Sequence, residues 1–252
     1  MNPMTDLSAP YDLAILLAFF VAGLVKGVTG MGLPTVAMGV LGTIMPPVGA
    51  AALLIIPSFV TNVWQLASGT SLAALVSRLW SMILGITVGT IAASWLLIND
   101  TAGWTTIALG MALIAYAGFT LLARQLSVPA RAERWLSPAV GLTTGLITGG
   151  TGVFVIPAVP YLQALGLNKD DLIQALGLSF TISTVALAIG LAGGGAFHVE
   201  NTVTSALAVA PALAGMWVGT RIRQRISPAA FRRWFLIFIL LLGVQLVARP
   251  FL

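Results

Sequence analysis

Two apolar segments of this chain are each broken in the middle by glycine and threonine, and the two breaks resemble one another. They are GLVKGVTGMGLP, residues 23–34, and GLTTGLITGGTGVFVIP, residues 141–157. In hydrocarbon, a backbone N–H or C=O without a partner costs several kcal/mol, so an interrupted membrane segment has to line a cavity or be buried in protein. A pair of such breaks in corresponding positions of two halves marks the binding site of a carrier built from repeats.

Composition places the breaks in a membrane. Apolar residues make up 58% of the chain and charged residues 8%, far from the roughly 25% charge of soluble domains. Mean hydropathy is +1.02. The net charge of +5 comes mainly from arginines at the ends of apolar runs, without the aromatic interleaving of a nucleic-acid binder. Cysteine is absent, which excludes disulfides, thiolate metal sites and cysteine nucleophiles. Asp6 and Asp12 and the lack of a basic start argue against a cleavable signal.

With about twenty apolar residues per crossing as the yardstick, the chain divides into eight hydrophobic blocks: 11–45, 47–67, 72–98, 102–123, 136–166, 171–193, 201–221 and 230–248. Blocks one and five contain the breaks and are long enough for a hairpin of two short helices. Pro57-Ser58-Phe59 in block two resembles Leu178-Ser179-Phe180 in block six, and GITVGT (85–90) in block three resembles GMWVGT (215–220) in block seven. Order is kept throughout, which predicts two four-block repeats: residues 1–123 and 136–252, joined by a cytoplasmic linker at 124–135.

Arginine placement predicts how the repeats are related. Lys and Arg collect in cytoplasmic loops, and the two richest loops hold Arg124, Arg131 and Arg134, then Arg221, Arg223, Arg225, Arg232 and Arg233. Three single crossings between these loops would put them on opposite sides. Block five therefore enters and leaves on one side. If block one does the same, each repeat crosses an odd number of times and the second is inverted relative to the first. The expected fold is an all-α polytopic membrane protein of two inverted-topology repeats, each opening with a broken helical hairpin. Arg78 falls inside; Asp100 and both termini fall outside; Arg249 fits poorly.

Lys26 is the one charged residue deep inside an apolar block. Burying a lysine is costly unless it is paired or hydrated, and no sequence neighbour supplies a carboxylate. A bound anion would. Gly27, Gly30, Gly32, Gly149 and Gly150 would let backbone N–H groups approach it, and short helices starting near Pro34 and Val153 would aim their positive ends at it. Thr29, Thr35, Ser58, Asn62, Thr144, Thr148, Thr151, Ser179 and Ser183 supply neutral hydrogen bonds, as do Thr61, Gln65 and Thr181. Thr144 falls opposite Lys26 in the second repeat. The expected ligand is a small oxyanion; no metal, cofactor or catalytic set is expected.

Other readings compete for these residues. Gly23 and Gly27 form a GxxxG that serves helix packing in many membrane proteins, and Ser58, Asn62 and Ser179 suit helix-to-helix bonds equally well. Trp64, Trp80, Trp95, Trp104, Trp135 and Trp234 suit interfacial anchoring. Asn168 to Asp171 reads as a helix start. His198, beside Glu200 in a predicted outer loop, is remote from the breaks, which counts against a serine hydrolase. A transition-metal permease lacks ligands along the path. A permease for a neutral or organic solute leaves Lys26 unexplained, and a structural membrane subunit would show no flux.

The runs VKGVTGMGLPTVAMGVLGTIMPP, AALLIIPSFVTNVWQ and GLTTGLITGGTGVFVIPAVPYLQALGL resemble the TauE/SafE family of sulfite and organosulfonate exporters over nearly the whole chain. The resemblance implies a carrier of small sulfur oxyanions in the bacterial inner membrane, exporting sulfite or a short organosulfonate such as sulfoacetate and working as a transporter rather than an enzyme. Monomer and homodimer both stay open.

Overall fold

The computed structural model describes residues 9–122, 127–196 and 199–249, and all regular structure among them is helical. The readings placed on Asp6, Arg124, His198 and the Glu200 side chain lie outside the described residues. The helices are α1 (Ala9–Thr29), α2 (Leu33–Leu41), α3 (Pro47–Ala67), α4 (Leu72–Ile98), α5 (Trp104–Leu122), α6 (Ala130–Thr151), α7 (Ala158–Ala164), α8 (Lys169–Gly193), α9 (Val199–Leu207), α10 (Val209–Arg223) and α11 (Pro228–Ala248). Among the described residues, seven segments are long and apolar enough to cross a membrane. The six tryptophans expected as anchors are all largely exposed, as interfacial side chains should be.

Each broken block consists of one long helix and one short helix, where two short helices are expected. α1 runs uninterrupted through Gly23 and Gly27, and α6 through Gly141, Gly145, Gly149 and Gly150. The first break turns at Gly30 and Gly32 and the second at Gly152, all at positive φ, where a side chain would be strained. Matching threonines close the two long helices. Thr29 Oγ1 donates to the Val25 carbonyl (2.8 Å) and accepts from Met31 N (3.2 Å); Thr151 Oγ1 donates to Ile147 (2.6 Å) and accepts from Val153 N (3.2 Å). α7 starts at Ala158, five residues later than expected, because a residue before proline is held out of the helical region and Pro157 stands there.

The uninterrupted glycines bring helices together. A Cβ on Gly27 would press into the Met216 carbonyl oxygen and lie 3.0 Å from Gly219 Cα; one on Gly145 would press into the Ile86 carbonyl oxygen and lie 2.9 Å from Gly89 Cα. Gly23 meets Ala212 and Gly141 meets Met82 at the same spacing one turn earlier. Thus α1 lies on α10 as α6 lies on α4, with Gly27 matching Gly145 and Lys26 matching Thr144. α6 then continues one turn further than α1, and in that turn Gly149 faces Thr90 and Ser94. The remaining main pairs are α5 with α11, α3 with α8 and α4 with α8.

The connections sort into two ends. Val128 N donates to the Ala164 carbonyl (2.9 Å), and Arg78 makes a two-pronged ion pair with Glu133 (2.7 and 2.8 Å), so the segment from α6 to α7 leaves where it starts, at the arginine-rich end. At the other end, Arg249 Nη1 donates to the Gly42 carbonyl after α2 (3.4 Å) and shares a shallow cavity with Pro46 and Asp100. Asp100 caps α5 by accepting from the amides of Trp104 and Thr105 and the Thr105 hydroxyl. Partial burial raises its pKa, but these hydrogen bonds outweigh that and hold it below the usual carboxylate value.

Three local details shape the helices. Residues 130–135, read as linker, are the first turns of α6. Block seven divides at Ala208, just before Pro211, which has no N–H to donate back to Leu207. In α3, Pro57 likewise leaves the Leu53 carbonyl without its helical donor. Ser205 Oγ on α9 supplies one at 2.7 Å and accepts from Ile56 N at 3.3 Å.

Gly215→Ala should lower the melting temperature in detergent, since its Cβ would enter the Phe20 carbonyl oxygen, whereas Gly118→Ala, with open space at its Cβ, should leave it unchanged or higher. Ser205→Ala should cost about 1–3 kcal/mol by stranding the Leu53 carbonyl. In a Pro57→Ala background, where α3 supplies the missing donor itself, the same change should cost much less by chemical unfolding.

Candidate functional site

Lys26 lies in the last turn of α1 and is 4% exposed. Its Nζ donates to Thr61 Oγ1 at 3.1 Å and to Asn62 Oδ1, both on α3. The hydrogens of these partners are already placed. Thr61 Oγ1 donates to the Pro57 carbonyl at 2.8 Å, Asn62 Nδ2 to Thr184 Oγ1 at 3.2 Å, and Thr184 Oγ1 to the Phe180 carbonyl at 2.7 Å. Every bond in the network therefore points away from the lysine, and all its partners are neutral. An ammonium has three N–H donors, and two of them are accounted for here.

α3 carries the network because Ser58, Thr61, Asn62 and Gln65 follow the i, i+3, i+4, i+7 stripe of one helix face, and all four are buried. Gln65 Nε2 donates to the Gly30 carbonyl at the first break and to Ile173 on α8, both at 3.1 Å. Gln174 answers from α8, accepting from Ser71 N (2.9 Å) and donating to the Leu66 carbonyl (2.9 Å).

A cavity of about 560 Å³ opens beside this network, with Lys26, Gly27, Thr29, Gly30, Thr61 and Gln65 along its wall. Lys169, Arg223 and Arg232 also line it. These three come from the ends of α8, α10 and α11 that meet at the arginine-rich end, so the cavity opens there. Among the described residues that line it there is no carboxylate. Trp64, Tyr116, Met216 and Phe235 supply apolar wall. On the far side of Lys26, Ile15, Phe19 and Ala22 continue its face of α1 and are fully buried.

The residues expected at the site divide into three groups. Lys26, Gly27, Thr29 and Gly30 line the cavity, and Asn62 bonds the lysine. Thr35, Ser58, Thr144, Ser179 and Ser183 are buried with hydroxyls that have no protein partner, and they do not line the cavity. Thr148 spends its one hydroxyl hydrogen on the Thr144 carbonyl (2.7 Å) and Thr151 on Ile147; Thr181 donates to Gly177 (2.7 Å). Gly149 is a packing glycine, Gly150 faces open space, and Gly32 sits against Phe235 and Val25 at the start of α2. The second break thus lies outside the cavity, and α7, only seven residues long, aims no helix end into it.

Thr184, Lys169, Arg223 and Arg232 were not expected at the site. Lys169 begins α8, where Asn168 Oδ1 accepts from Asp171 N at 2.8 Å as the expected cap. Arg223 follows Gly219 by one turn of α10, so the face that admits α1 leads on to the arginine. That spacing is visible in the sequence, but a topology signal and a vestibule charge look alike there.

A protein-family model described as Sulfite exporter TauE/SafE matches residues 15–246. No curated protein and no solved structure matches the chain.

Asn62→Leu should lower stability by about 1–3 kcal/mol, because it leaves Lys26 and Thr184 each short of a buried partner. Adding Lys26→Met should recover much of that loss, since two apolar groups need no partners. Unfolding of both single variants and the double variant in detergent measures this coupling.

Proposed function

The chain belongs to the sulfite exporter TauE/SafE family, and from that premise we propose that it carries a small sulfur oxyanion out of the cell by alternating access. Membership indicates a multi-pass membrane transporter rather than an enzyme; the substrate, the direction and the bacterial inner membrane are our reading. The observation that carries it is a buried lysine that, among the described residues, has only neutral partners and sits in a cavity lined by further cations and no carboxylate. Such a cavity concentrates anions and repels cations, and an anion at Lys26 would supply the charge that Thr61 and Asn62 do not.

The cavity's opening at the arginine-rich end makes this the inward-facing state, if arginines mark the cytoplasm. Export would then require Ile15 and Phe19 to part from their neighbours while the vestibule closes. The pairing of α1 with α10 and of α6 with α4 supports an inverted duplication, because each broken block lies on the third block of the other half. In that frame the two halves, 1–123 and 136–252, rock against one another across these paired helices, with both termini outside. An inside-negative potential provides about 2.3 kcal/mol per charge per 100 mV, enough to drive an anion outward without ATP.

In proteoliposomes holding this protein alone, sulfite efflux should rise with imposed potential. Lys26→Gln and Lys26→Ala should each reduce it at least tenfold at equal folded amount. Full flux in both variants contradicts the assignment, and selective flux of a neutral solute favours an organic-solute permease.

A further inference from the structure

Gln65 has an acceptor that the network around Lys26 leaves unused. Its Nε2 donates to two carbonyls, Gly30 and Ile173, each at 3.1 Å. Because both neighbours are acceptors, the amide nitrogen must face them and the orientation of the group is settled. Its Oε1 is then an acceptor, and it is buried without a partner on a residue that is 8% exposed and lines the Lys26 cavity. A buried acceptor of this kind costs about 1–3 kcal/mol until a donor reaches it. The charged and titratable groups of the cavity wall are Lys26, Lys169, Arg223, Arg232 and Tyr116, and of the cations only Lys26 touches the buried network.

One deep cation and one deep orphan acceptor select a ligand with one negative charge and one hydrogen to give. Resting on the sulfite reading above, we infer that the species carried is hydrogensulfite, the singly protonated monoanion, with Lys26 taking its negative oxygens and Gln65 Oε1 accepting from its O–H. Sulfite gains this proton near neutral pH, so both species are present in a cell. The dianion would leave one charge uncompensated beside Lys26 and Gln65 Oε1 unsatisfied. The proton crosses on the substrate, so no intramembrane carboxylate relay is required. Gln65 is a specificity-determining residue in this account.

The test uses the full chain in proteoliposomes, with total sulfite fixed and pH varied. Initial flux should follow the hydrogensulfite concentration, and the reversal potential should give one net charge per sulfur. Gln65→Met should weaken apparent affinity for hydrogensulfite about tenfold, the worth of one hydrogen bond. Inhibition by methanesulfonate, a monoanion with no hydrogen to donate, should weaken far less, because Gln65→Met removes the Gly30 and Ile173 bonds for both ligands but the acceptor for hydrogensulfite alone. A purely structural role for Gln65 would weaken both ligands equally and would overturn the assignment. So would flux that follows the dianion with two charges per sulfur. Absence of sulfite flux at every pH from folded protein would instead overturn sulfite transport itself, and this inference with it.

Discussion

Backbone-to-backbone contact through glycine is the constraint on which the rest of this structure depends. With no hydrophobic drive between helices in lipid, close approach comes from small residues. Here α1 and α10, and α4 and α6, meet so tightly that a single added Cβ would enter a carbonyl oxygen. The contact between α1 and α10 ends two residues beyond Gly27, where Thr29 and Gly30 turn the chain. Lys26 is thereby held one residue before Gly27, the last of these glycine contacts on α1, facing Thr61 and Asn62 of α3. Its position follows from where the glycines let the helices touch.

The two halves use this device alike and finish it differently. α6 runs one turn past the position where α1 stops, which carries the second break away from the cavity. The position matching Lys26 is Thr144, whose hydroxyl is buried without a protein partner. Charge therefore enters the site from one half only. In α3, Pro57 frees a carbonyl that Ser205 reclaims, while α8 has Leu178 at the equivalent place and needs no such help. The packing of the two halves is similar and their chemistry unequal, as the proposed carrier with a single site would need.

The helical blocks, the glycine register and the isolated lysine were readable in the sequence because each rests on local spacing. α3 and α4 have the expected bounds, and Lys26 stands where an apolar run left it without a carboxylate. The exact turns were harder to read, since Gly23 and Gly27 fit both a break and a packing GxxxG, and Gly141 and Gly145 look like part of a break, until partner helices show that all four are contact points. The partners of Lys26 lie 35 and 36 residues away, and Thr184 lies further still. Such distances are set by how helices cross, which local pattern does not encode. The vestibule arginines were visible, but their role depends on which helix ends surround the cavity.

The position of a bound oxyanion tests this account most directly. Selenite has the shape and charge of sulfite and scatters anomalously, so soaking it into crystals of the protein would locate its selenium without ambiguity. The account predicts a single peak at the base of the cavity, with oxygens within hydrogen-bond reach of Lys26 Nζ and Gln65. That peak should vanish in Lys26→Gln. A peak between α6 and α8 near Thr144 and Ser183, persisting in that variant, would contradict it.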